Sequence, residues 1–76
     1  MKIETIIARN VKIMRLMICI PQAVLAKKSK VSQSTIAQIE NGKKTPSVST
    51  LIKIAKALNV APYQLLKQYE LTAVEK

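Results

Sequence analysis

Punctuation constrains this chain more than any other feature. Its three prolines stand at positions 21, 46 and 62, and its one glycine at 42. Proline suits the first turn of a helix and disrupts the interior, because it lacks an N–H and its ring crowds the preceding turn. Glycine is cheapest just past a helix end, where the backbone turns left-handed. Each proline here precedes or opens a stretch of helical period, and Gly42 follows one. No stretch alternates as a half-buried strand would. The chain is therefore expected to be all-α, built from short helices joined by tight turns.

Apolar spacing supplies five of them. A helix over about residues 5–18 carries Ile7, Val11, Met14 and Ile18 as one stripe. A second over about 22–28 offers Ala23, Leu25 and Ala26. A third over about 33–41 begins at Ser32, a good N-cap, and turns Ile36, Ile39 and Glu40 inward. A fourth over about 48–58 is capped by Ser47, faces in with Val48, Leu51, Ile52, Ala55 and Leu58, and stops at Asn59. A fifth over about 62–69 is anchored by Leu65 and Leu66. These make one domain over residues 1–69, with 70–76 as a short flexible C-terminal tail.

Charge narrows the class of partner. The 76 residues hold 13 Lys/Arg against 4 Asp/Glu, a net charge of +9. Solubility alone is normally achieved with mixed signs, so this excess implies a polyanion. Two tyrosines and no Phe or Trp argue against a surface that stacks single-stranded RNA bases on aromatic rings. Arg9, Lys12 and Arg15 interrupt the apolar stretch 3–20, and the uncharged run 16–20 is too short for a signal peptide. A soluble, cytoplasmic protein with no membrane role is expected.

Enzyme chemistry lacks its parts. There is no histidine, no nucleophile–base pair and no glycine-rich phosphate loop. Cys19 is alone, so it forms no internal disulfide and reads as a small buried hydrophobe. No metal and no cofactor are expected, and no catalytic residues.

The second and third helices, joined by about four residues, make a helix-turn-helix. Arg15, Gln22, Leu25, Ala26, Val31, Ser32, Ile36, Glu40, Gly42, Pro46, Leu51, Ala55 and Leu58 form a spaced set. That set resembles the Cro/cI-like (XRE) helix-turn-helix family of phage and plasmid repressors, over about residues 7–66. The resemblance implies a five-helix lambda-repressor-like DNA-binding domain, an ion pair between Arg15 and Glu40, and a backbone-phosphate role for Gln22. There are departures. Lys30 stands where the family often has glycine in the turn, Cys19 where a glycine often ends the first helix, and Pro21 where a Ser or Thr caps the second.

The third helix carries the chemistry of recognition. Gln33, Ser34, Ala37 and Gln38 stand away from its two isoleucines or at its start. A helix fits the DNA major groove, where each base pair shows a distinct set of donors and acceptors. Glutamine can take adenine with two hydrogen bonds, serine donates or accepts, and an alanine methyl meets a thymine methyl. These four are the expected base readers. Gln22, Ser32, Thr35, Asn41, Lys43 and Lys44 flank them as expected phosphate contacts, which give affinity and register rather than specificity. A free Glu40 would repel phosphate, so its pairing with Arg15 has a structural role.

The expected function is sequence-specific binding of double-stranded DNA by a transcriptional regulator, a repressor acting as a homodimer on a pseudo-palindrome. Tyr63, Leu66 and Tyr69 are candidate dimer contacts. The alternative is an antitoxin that binds a toxin and regulates its own operon, or a restriction-modification controller. Its support is an apolar arc on the first helix widened by Ile3, Ile6, Ile13 and Met17, together with the tail.

Overall fold

The computed structural model describes residues 2–69. Five helices follow one another: α1 (Ile3–Met17), α2 (Gln22–Ser29), α3 (Gln33–Glu40), α4 (Val48–Leu58) and α5 (Pro62–Leu66). α1 packs on α3 and α5, α2 packs on α3 and α4, and α4 packs on α5. Every helix sends at least one side chain into a fully buried centre: Val11, Leu25, Ile36, Ile39, Ile54 and Leu65. Each such aliphatic group stabilises the fold by about 1.5–3 kcal/mol over its exposed state. The segment expected as a flexible tail, 70–76, lies outside the described residues.

Four of the five helices end the same way. The residue past the end takes a left-handed backbone: Cys19 (φ 58°), Lys30 (φ 60°), Gly42 (φ 73°) and Asn59 (φ 62°). In each case its N–H and that of the next residue bond back to carbonyls of the last turn, as in Cys19 to Leu16 and Ile20 to Arg15, or Asn59 to Lys56 and Val60 to Ala55. This is the Schellman ending, which satisfies carbonyls a helix would otherwise leave bare. Glycine adopts it freely and asparagine with little penalty, whereas Cys19 and Lys30 each cost about 1–2 kcal/mol. The next residue explains why they persist. Ile20, Val31 and Val60 each pack against the core, which offsets the strained turn before them.

Cys19 is therefore not the buried hydrophobe expected of it. It is exposed, because a left-handed residue at a helix exit leaves the packing to its successor. The apolar phase of three helices also needs correction. On α4 the buried stripe is Leu51, Ile54, Ala55 and Leu58, while Val48 is 74% exposed and Ile52 47%. Val48 opens the helix and projects beyond the core, and Ile52 falls one position off the i, i+3, i+4, i+7 stripe. On α1, Ile18 is exposed because the helix already ends at Met17. On α5, Leu65 alone is buried and Leu66 is exposed.

The fifth helix is shorter than the expected 62–69. Pro62 opens it, and the Gln64 side-chain oxygen accepts from the Ala61 N–H at 2.8 Å. It stops at Leu66, with Lys67 extended at φ −82°, ψ 133°. The cause is on another helix. The side-chain amide nitrogen of Asn10, buried on α1, lies 3.3, 2.9 and 2.8 Å from the carbonyls of Gln64, Leu65 and Lys67, donating into them. A tertiary donor thus takes up the carbonyls left by the last turn, and the chain turns away. Helices expected to start at 5 and to end at 41 instead start at Ile3 and end at Glu40. Among the described residues, no helix is long and apolar enough to cross a membrane.

Candidate nucleic-acid interface

The residues beneath α3 fix how it is presented. Ile36 and Ile39 are fully buried. Glu40, at the helix end, is buried too and carries a charge that needs compensation. Arg15 on α1 supplies it in fork geometry, its Nε 2.7 Å from one carboxylate oxygen and its Nη2 3.0 Å from the other. The second of those oxygens also accepts from the Gln22 side-chain amide at 3.0 Å. The remaining Arg15 nitrogen donates to the Ile20 carbonyl at 2.8 Å. One carboxylate thereby joins α1, the turn into α2, the first residue of α2 and the end of α3. No buried side-chain nitrogen or oxygen among the described residues lacks a partner.

The hydrogen bond to Glu40 raises the Arg15 pKa above its already high ordinary value. Burial works the other way, and the carboxylate's charge adds to the rise. The sign follows directly. Stabilisation from a raised pKa is fully present below the ordinary arginine value and is lost only as pH climbs past the raised one. The arginine half of the pair is therefore insensitive to pH through the whole neutral range.

Above this base, α3 turns a different chemistry outward. Gln33, Ser34 and Gln38 are exposed, and Ala37 is half-buried between them and the core. Ser32 caps the helix by accepting from the Thr35 N–H at 3.1 Å, and its hydroxyl lies 2.8 Å from that of Thr35. The same Ser–x–x–Thr pairing opens α4 through Ser47 and Thr50. With no acidic residue in its first turn, the start of α3 offers amides and hydroxyls to an anion.

The exit of α3 differs from the other Schellman endings. Its left-handed residue is the only glycine, and the residue after it is Lys43 rather than an apolar anchor. The Lys43 N–H returns to the Gln38 carbonyl at 2.9 Å, while its side chain is exposed beside those of Asn41 and Lys44. Here the turn spends its following residue on solvent-facing charge, not on the core. A cleft of about 490 Å³ adjoins it, lined among others by Lys30, Thr35, Lys44, Ser47 and Lys53.

The structure thus brings Gln33, Ser34, Ala37 and Gln38 together on α3, with Ser32 and Thr35 at one end and Asn41, Lys43 and Lys44 at the other. Gln22 is half-buried and one amide hydrogen is engaged by Glu40. A carboxamide has two such hydrogens, so the second remains for another acceptor. Tyr63, Leu66 and Tyr69 are exposed on and beyond α5. Two residues escaped sequence reasoning. Ile54 was hidden by the phase of α4. Asn10 had a signal, since it stands three residues after Ile7 and four before Met14, a polar group inside an apolar stripe. Among the described residues, no cluster of metal-ligating side chains occurs.

Residues 11–65 match the helix-turn-helix family HTH_3. No curated protein matches the chain. Among solved structures, the hypothetical transcription factor NHTF from Neisseria superposes with a TM-score of 0.83 at 27% identity, over 87% of this chain and 76% of that one. An HTH_3 family transcriptional regulator from Vibrio cholerae gives 0.80 at 28% identity over 83% of this chain, which spans 35% of that regulator's length. The restriction-modification controller protein C.AhdI from Aeromonas hydrophila gives 0.79 at 24% identity, over 82% and 94% of the two chains, a likeness of fold alone. With its lambda-repressor-like five-helix fold and the family match across helices α2, α3 and α4, the chain belongs to the helix-turn-helix family HTH_3, the Cro/cI-type (XRE) DNA-binding transcription regulators, and is not an enzyme.

Proposed function

We propose that the protein binds duplex DNA sequence-specifically, as a homodimer, and represses transcription from a pseudo-palindromic operator in the cytoplasm. The observation that carries this is the division of α3: an inner side buried and pinned through Glu40, and an outer side of exposed amide and hydroxyl groups on a chain of net charge +9. Gln33, Ser34, Ala37 and Gln38 read base edges in the major groove. Ser32, Thr35, Asn41, Lys43, Lys44 and the free amide hydrogen of Gln22 hold phosphates. Tyr63, Leu66 and Tyr69, all exposed, join two copies so that their α3 helices meet half-sites about one helical turn apart.

Selection from random duplex DNA, followed by footprinting, tests this. A two-fold-related site is expected, with affinity that falls steeply as salt rises. Equal affinity for every duplex at ordinary ionic strength would refute the proposal.

One observation favours a second reading, in which the regulator also holds a protein partner such as a toxin. Ile13, Leu16, Met17 and Ile18 expose apolar surface along the C-terminal half of α1 and just past its end, Met17 at 75%. A monomer rarely shows such a patch without use. Restriction-modification control is a related variant of this reading. A stable complex on co-expression with the product of an adjoining gene would favour it.

A further inference from the structure

Four of the lysines that the recognition helix leaves without a role stand together. Lys28 sits in the last turn of α2, Lys30 follows it, and Lys53 and Lys56 lie on α4. Distant in sequence, these four line a single cleft of about 740 Å³ between the end of α2 and α4, and no carboxylate lines it with them. Helix dipoles account for part of this. Lys28 and Lys56 stand near the carbonyl ends of α2 and α4, where a cation is favoured. Lys30, the C-cap of α2, falls under the same account, but Lys53, which is mid-helix, does not. A cleft lined by charge of one sign concentrates the opposite sign within it.

The position of the cleft identifies the anion. Lys30 and Lys53 also line the neighbouring cleft that holds Thr35 and Lys44. A basic band therefore runs without a break from the start and exit of α3 to the far end of α4. Such a series of ammonium groups suits a run of phosphates better than one small ion, and Lys pairs with phosphate as a point charge. We propose that this cleft binds the sugar-phosphate backbone of duplex DNA lying outside the base pairs that α3 reads. The assignment rests on the DNA-reading role of α3 proposed above. A free polyphosphate shares the chemistry, but continuity with α3 selects the duplex.

The test uses the sequence recovered by selection, as one duplex trimmed to the base pairs whose substitution matters and another extended by about ten base pairs on each side, one helical turn. Anisotropy titrations compare the wild type with the triple variant K28Q/K53Q/K56Q, whose melting temperature controls for folding. The wild type should bind the longer duplex more tightly. That advantage should shrink about fortyfold per protomer between 50 and 200 mM salt, as expected for three phosphate contacts. The variant should bind both duplexes alike, with the wild type's affinity for the trimmed one.

A wild type indifferent to length overturns the proposal and leaves the reading helix standing. A variant weakened equally on both duplexes also overturns it, since the lysines then add only a general field. Saturable binding of inorganic tripolyphosphate that K28Q/K53Q/K56Q abolishes, without any length effect, moves the cleft to a free ligand. If selection recovers no sequence, the reading helix fails, and the flank assignment falls with it.

Discussion

The two sides of α3 are built from eight residues and obey opposite rules. The inner side, Ile36, Ile39 and Glu40, has no freedom: two aliphatic groups are fully buried, and the carboxylate is held by Arg15 and Gln22. The outer side, Gln33, Ser34 and Gln38, is exposed and faces away from the buried isoleucines. The lesson concerns where rigidity is placed. A base-reading group must be held in orientation yet unsatisfied, so its support has to come from the other side of the same helix. Burying an ion pair is a weak route to stability, because desolvation opposes the Coulomb gain. It makes better sense here as a device that fixes four segments about one point.

Substitutions can break this comparison. The largest effect is expected on the inner side. Glu40→Ala leaves the Arg15 guanidinium buried without its carboxylate, at about 3 kcal/mol or more. For a chain with about 5–10 kcal/mol of stability in total, the melting temperature followed by circular dichroism should fall by roughly 15 °C. DNA binding should weaken with it. An unchanged melting curve would mean that the pair does not hold α3 in place.

Asn10→Ala ranks next. It removes the one donor shared by three carbonyls at the end of α5, at about 1–3 kcal/mol. If α5 joins two copies, the variant should also dissociate at higher concentration in sedimentation, while the monomer's α3 keeps its hydrogen-exchange protection. Loss of protection in α3 as well would show that the two ends of the molecule are not separable.

The outer side should respond in the other currency. Gln33→Ala and Gln38→Ala should leave the unfolding free energy within about 0.5 kcal/mol of wild type. Each should lose about 1–3 kcal/mol of discrimination at one base pair, measured by competition among operator variants. A uniform loss across sequences would move those glutamines into the phosphate-holding group. Lys43→Ala is the mildest. It should weaken every duplex alike and lower the salt dependence by about one counterion, and any change in base preference would place Lys43 among the readers.

Much of the fold was legible because it depends on local chemistry. Ser32 and Ser47 cap α3 and α4 as their residue type implies, and Pro62 and Gly42 stand where proline and glycine fit best. Ile36, Ile39 and Glu40 turn inward as the spacing predicts. What was misread shares one cause. Val48, Ile52, Ile18, Leu66 and Cys19 are apolar or small groups near helix ends or at the edge of a stripe, where periodicity does not say whether a neighbouring helix reaches them.

The sequence by itself determined five short helices, the turn chemistry between them, the charge that selects a polyanion, and which helix carries amide and hydroxyl groups. These follow from covalent preferences and from spacing along one element. Only the tertiary structure decided that Asn10 ends α5, that Gln22 shares Glu40 with Arg15, and that Lys53 and Lys56 meet Lys28 and Lys30 about one cleft. Each of these joins residues from different helices, and their meeting depends on how the helices cross in space. A one-dimensional pattern does not encode that crossing.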